Sequence, residues 1–139
     1  MPPMNERKTE DLVELRLRKF GYMRAGSGVT IEKQKSDDPR IQKLLEYASK
    51  RGNGAGKPEF LIHSPSYPDF LVVIECKADH RKHESADKDK YADYAIDGAL
   101  LYASYLSKTF DVLAIGVSGQ DASTYRISHF LHLKGQKRR

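Results

Sequence analysis

Phe70-Leu71-Val72-Val73-Ile74-Glu75-Cys76-Lys77 is the stretch whose reading decides the fold. Its first five residues are apolar whichever way they point, which predicts a strand buried on both faces and so central in its sheet. The strand ends on two charged residues that flank a cysteine. Side chains alternate along a strand, so Glu75 and Lys77 share one face and Cys76 points to the other. A carboxylate and an ammonium directly after an apolar run are costly to bury without partners. A structural ion pair explains them as simply as an active site does, because charged clusters occur in both settings.

The segment just upstream changes that balance. Glu59 to Ser64 (EFLIHS) predicts a second strand, and the turn PSYPD between the two carries two prolines. A hairpin through that turn brings residues near 59–61 opposite residues near 75–77, and so Glu59 close to Glu75. Two carboxylates brought together repel unless a cation or a proton lies between them. Oxygen ligands of this kind suit a hard cation such as Mg²⁺. Lys77 beside them can orient or deprotonate a water, or neutralise charge developing on a phosphate. This is the outline of a site for metal-assisted phosphodiester hydrolysis.

Further out, the remaining elements follow. Asn5 is a good N-cap for a helix running to about Lys19. Glu6, Glu10, Val13, Leu17 and Phe20 fall on one face of it, an apolar stripe that continues into two glutamates. Val29 to Lys35 alternates as a short strand. Asp38-Pro39 opens a second helix, with Ile41, Leu44, Leu45 and Ala48 on its apolar face. The loop RGNGAGKP (51–58) is flexible and exposed or close to a ligand, and it lacks the GK[ST] ending of a nucleotide-binding loop. A polar connection over 79–90 leads to a long helix, Tyr91 to Ser107, then to a buried strand, Asp111 to Ser118. A more polar last strand, Thr124 to Leu133, lies nearer an edge. The fold class is α/β, a single mixed β-sheet of four to five strands flanked by helices. Residues 1–133 form one domain, and 134–139 a basic tail or linker end.

Composition agrees. The chain has 139 residues, 39% hydrophobic and 31% charged, enough for one globular domain. No stretch approaches the ~20 apolar residues of a membrane span, and the start MPPMNERKTEDL has no apolar signal core. One cysteine points to a reducing compartment, the cytoplasm. The net charge is +5, but it is not one surface. Residues 1–57 hold 13 Lys/Arg and 8 Asp/Glu, residues 58–133 hold 7 and 11, and the last six add four basic residues. The basic ends suit non-specific phosphate contacts. The acidic middle contains Glu59 and Glu75.

The run GKPEFLIHSPSYPDFLVVIECKADHRKHES, followed by YADYAIDGALLYASYL and DVLAIGVSGQ, resembles the PD-(D/E)xK nuclease superfamily. More narrowly, it resembles the N-terminal endonuclease domain of single-chain (type IIG-like) and type I restriction–modification enzymes. The resemblance implies the restriction-endonuclease-like mixed sheet and Mg²⁺-dependent cleavage of double-stranded DNA by a metal-activated water, with Mn²⁺ able to substitute. It gives Glu59 the first acidic position of the motif and Glu75 the second, both as metal ligands, and Lys77 the lysine beside the attacking water. Glu10 best matches a further metal-site glutamate on the first helix, with Glu6 as its alternative. The first acidic position departs from the usual aspartate. Asp69, in Tyr67-Pro68-Asp69, is a rival for it, but lies only six residues before Glu75, at the far end of that strand. The resemblance also implies methyltransferase and target-recognition domains elsewhere in a longer chain or complex. Cutting both strands with one site per chain requires two copies to meet, at least transiently. The rival functions are a non-catalytic DNA-binding module of the same fold and a repair or junction-resolving nuclease.

Other signals carry less. Lys57, His80, Lys82 and His83 are candidate DNA contacts, the last three on a loop whose mixed charges fit a solvated surface equally well. Cys76, His80, His83 and His63 match no common zinc spacing. Tyr91, Tyr94, Tyr102 and Tyr105 read as packing residues with a wet hydroxyl, and the sequence does not say which of them approaches Glu75 or Lys77.

Overall fold

The computed structural model of the chain describes residues 5–49 and 56–135. The chain folds in the order α1 (Glu6–Lys19), β1 (Thr30–Glu32), α2 (Pro39–Leu45), β2 (Phe60–Ser64), β3 (Tyr67–Lys77), α3 (Ala95–Leu106), β4 (Asp111–Ser118) and β5 (Arg126–His132). The five strands form one sheet in the order β1-β2-β3-β4-β5. β3 and β4 pair in parallel and every other neighbouring pair is antiparallel, so the sheet is mixed. A parallel pair needs a long crossover, supplied here by the loop after β3 and by α3.

The expected central strand is central. Leu71, Val73, Val112 and Ala114 pack under α2 and α3 with Ile41, Leu45, Ile96, Ala99, Ala103 and Leu106. Ile74, Cys76, Val117 and Phe60 pack on the opposite face against Val13 and Leu17 of α1. Alternation therefore sets Glu75 and Lys77 on the α3 face, and Cys76 on the α1 face. Burial drives the Cys76 thiol pKa up, helped by the nearby Glu75 charge, so the thiol is inert.

Caps fall where the sequence puts them. The Asn5 side chain accepts from the Arg7 N–H, and Asp38 accepts from the Arg40 N–H, with Pro39 in the first turn. Boundaries differ more. β3 starts at Tyr67 rather than Phe70, because the hairpin closes tightly: Ser64 pairs with Tyr67, after an irregularity at His63/Ser64. Pro68 is tolerated there because this end of β3 lies before its ladder with β4, which begins at Phe70↔Asp111. β1 keeps only three residues, and Gln34 turns away with φ 66°.

The third helix starts at Ala95 rather than Tyr91. Tyr94 is extended, and the Ala95 and Ile96 N–H groups donate to the Lys82 and His83 carbonyls at 3.0 and 2.8 Å, so α3 does not extend back beyond Ala95. Asp97, in the first turn of α3, is 0% exposed. The Asp97 carboxylate accepts from the Ser85 N–H (3.1 Å), the Ser85 hydroxyl and the Lys90 N–H (2.9 Å). One buried carboxylate thus gathers the loop over 79–90 that composition alone presents as a solvated connection. Gly116, opposite Glu75 in the β3–β4 register, lets α3 come close. A Cβ there would lie 2.6 Å from the Ile96 side chain and 2.9 Å from its backbone nitrogen. The flexible-loop expectation for 51–58 falls mostly outside the described residues, as do residues 136–139 of the basic tail. No helix among the described residues is long and apolar enough to cross a membrane.

Candidate metal centre

The hairpin register decides the first half of the site. Phe60 pairs with Ile74 and Leu61 with Val73, which places Glu59 opposite Glu75. The Glu59 N–H donates to Glu75 Oε1 over 2.9 Å. Glu75 is 0% exposed, so this carboxylate caps the edge of the hairpin from inside. Asp69 is exposed, six residues away along β3, at roughly 3.3 Å per residue about 20 Å from Glu75. It cannot share a site with it.

The second half comes from α1. Carboxylate oxygens of Glu6, Glu10 and Glu59 all lie within 4.8 Å of one another, each residue partly buried. This is the one such group of potential metal ligands among the described residues. Glu6 and Glu10 are one helical turn apart on the same face, and the first two turns of α1 deliver them. The alternatives left open on the first helix therefore join the same cluster. Glu75 stands behind it, linked through the Glu59 backbone.

The electrostatics follow. Burial pushes the Glu59 carboxyl up to about 9, reinforced by a hydrogen bond with Glu6 and by the charges of Glu75, Glu10 and Glu6. Glu10 is raised too, by burial first and by Glu6 second, against an opposing effect of Lys33. Lys33, at the β1 edge, pairs with Glu14 and lies over the Phe60 ring at 5.1 Å. The sequence offered no sign of it beyond its basic charge. Several carboxylates held this close favour a proton or a cation between them, and an all-oxygen donor set fits a hard divalent ion.

Lys77 is the last residue of β3, two beyond Glu75 and on the same strand face, and is partly buried. Its carbonyl accepts from the Gly119 N–H at 2.9 Å. Tyr102 of α3 feels the charges of Glu75 and Glu59. It is 2% exposed, and its phenol oxygen accepts from the Lys57 N–H at 3.2 Å. Burial raises its pKa, with Glu75 the next contributor.

The candidate DNA contacts separate. Lys57, His80 and Lys82 are exposed, and Lys82 lies over the Tyr94 ring at 5.0 Å. His83 is a correction: it is 2% exposed. Its Nδ1 is 2.7 Å from the Ser118 hydroxyl and its Nε2 is 2.8 Å from the Ser128 hydroxyl. Burial lowers its pKa. The ring is a neutral tie between the loop after β3 and strands β4 and β5, and does not face a phosphate. A single sequence carries no signal for this, because a loop histidine looks the same whether it turns in or out.

No family model matches the chain, and no solved structure matches it. The chain is 36% identical over 114 residues to the type II restriction enzyme and methyltransferase RM.BcgI of Heyndrickxia coagulans. The match takes in 72% of this chain and 17% of that protein. The chain thus spans about a sixth of the length of the relative it matches, and the likeness links it to a restriction–modification enzyme.

Proposed function

We propose that this chain is the endonuclease part of a restriction–modification system, of the PD-(D/E)xK type, and that it hydrolyses phosphodiester bonds in double-stranded DNA with a divalent metal. The observation that carries the reading is the convergence of Glu6, Glu10 and Glu59 within 4.8 Å, next to a buried Glu75 bonded to Glu59. The likeness to RM.BcgI supplies the biological setting.

Glu59 and Glu10, with Glu6, would hold the cation, and Glu75 completes the negative field while fixing the Glu59 backbone. A bound Mg²⁺, or Mn²⁺ in its place, supplies a water of lowered pKa and neutralises charge on the scissile phosphate. Lys77, at the end of the same strand, orients the attacking water or offsets charge on the phosphate. Lys57, His80 and Lys82 contact the DNA backbone, which positions the duplex without reading its sequence. Sequence reading and methylation belong to other parts of a longer chain or complex, as the composite relative suggests. Two copies meet transiently when both strands are cut.

The test is nicking of supercoiled plasmid in Mg²⁺ or Mn²⁺ by the wild type, Lys77→Ala and Glu75→Ala. Metal-dependent nicking lost in both variants supports the reading. Equal activity in all three proteins would sink the site assignment.

A further inference from the structure

We propose that Thr9 is the positioning residue that sets the Glu6–Glu10 pair of α1 against the site end of the sheet, an inference that rests on the metal-site reading above. Thr9 lies between the two glutamates in sequence and is 0% exposed. Its hydroxyl donates to the Gly119 carbonyl at 2.5 Å and lies 3.3 Å from the Lys77 carbonyl. Those partners are 110 and 68 residues away in the chain. The Gly119 N–H in turn donates to the Lys77 carbonyl at 2.9 Å, so one hydroxyl touches a tied pair of strand ends. The same end of α1 is held again where the Asn5 N–H donates to Gln120 Oε1 at 2.9 Å.

A threonine inside a helix commonly bonds back to a carbonyl of its own helix. Here the hydroxyl is directed across to the ends of β3 and β4. The distinction has a mechanical consequence. Val13 and Leu17 press α1 onto the sheet, but apolar contact is non-directional. Two other directional contacts of α1, Arg16 with Tyr125 and Glu14 with Lys33, are partly exposed and lie toward its other end. A hydrogen bond is directional, and that of Thr9 acts beside the glutamates. A slip of one helical turn moves a side chain by about 5.4 Å, more than the 4.8 Å span that contains the three carboxylates.

The experiment titrates the whole chain with Mn²⁺, read by electron paramagnetic resonance, for the wild type, Thr9→Val and Thr9→Ser. T9V keeps the volume and removes the hydroxyl, whereas T9S keeps the hydroxyl. T9V should weaken Mn²⁺ binding by about 10- to 100-fold, the usual effect of removing a group that orients ligands, with T9S close to wild type. Wild-type affinity in a T9V protein of native circular dichroism overturns the proposal. Should T9V not fold, T9A takes its place, and equal losses in T9A and T9S overturn the proposal by assigning the effect to the methyl group. If the wild type itself binds no Mn²⁺, the metal-site reading fails. Positioning is then judged by amide exchange over residues 6–10, which T9V should accelerate and T9S should not. Unchanged exchange overturns it.

Discussion

Glu59 and Glu75 are joined by a hydrogen bond from the backbone of one to the side chain of the other, Glu59 N–H to Glu75 Oε1 over 2.9 Å. The bond lies one step beyond the last ladder pair, Phe60↔Ile74. A carboxylate therefore serves where the hairpin runs out of strand partners. It fixes the point from which the Glu59 side chain departs toward α1, and it brings a further carboxyl group to the site. Structure and proposed chemistry converge on the same residue.

Stability separates these two roles of Glu75. Glu75→Ala leaves the Glu59 N–H without its acceptor and should cost about 1–3 kcal/mol. Glu75→Gln retains an acceptor oxygen and should cost less, while removing the charge from the site. Urea denaturation of both variants checks this, and equal costs would mean that the hydrogen bond contributes nothing.

Acidity gives a second prediction. Glu59 is held at about 9 in the fold, chiefly by burial, against an ordinary value of 4.5. Its neutral form is thus favoured by folding. Its contribution is fully present below pH 4.5 and is lost as pH rises toward 9. The melting temperature of the metal-free chain in EDTA should fall across that window, and Glu59→Gln should flatten the slope. Across the same window, a steeper slope in the variant would show that another group is responsible.

His83 should matter for folding rather than for DNA. His83→Ala leaves the Ser118 and Ser128 hydroxyls without their ring partner, at a cost of about 1–3 kcal/mol. Non-specific DNA affinity, measured by fluorescence anisotropy below the melting temperature, should not change. The lowered His83 pKa means that the fold prefers the neutral ring. Its stabilising contribution is therefore present above the ordinary histidine pKa of 6.5 and is lost as pH falls.

Asp97 should hold the loop after β3. Asp97→Ala removes the acceptor for Ser85 and Lys90, with a loss of about 3 kcal/mol for bonds to a buried charge. Hydrogen exchange at residues 85–90 should rise in the variant more than in α1. A uniform rise over the whole chain would instead indicate a purely global effect.

Charge predicts how the DNA complex responds to metal. Glu6, Glu10 and Glu59 gather three carboxyl groups within 4.8 Å, and a bound divalent cation offsets their charge. Anisotropy with a short duplex at low salt should show tighter binding in Ca²⁺ than in EDTA. Identical affinities would count against a metal at this face.

Much of this was legible before the fold was known. The caps at Asn5 and Asp38, the central strand at Phe70–Lys77 and the approach of Glu59 to Glu75 all rest on information within a few residues or on one hairpin. The misjudged boundary of α3 has a clear cause. Helical periodicity runs on through Tyr91, but the Ala95 and Ile96 N–H groups donate to the Lys82 and His83 carbonyls of the loop after β3, a long-range pairing that spacing does not carry. His83 was misplaced because burial is a property of what surrounds a loop, not of its composition.

The sequence by itself determined the faces: alternation put Glu75 and Lys77 together and Cys76 in the opposite layer, and helical spacing aligned Glu6 with Glu10. Only the tertiary structure decided that both α1 glutamates meet Glu59. Periodicity sets direction along one element, whereas this meeting depends on how α1 is turned and registered on the sheet. Thr9, bonded to chain 68 and 110 residues away, is the buried polar contact that ties the glutamate end of the helix to the sheet.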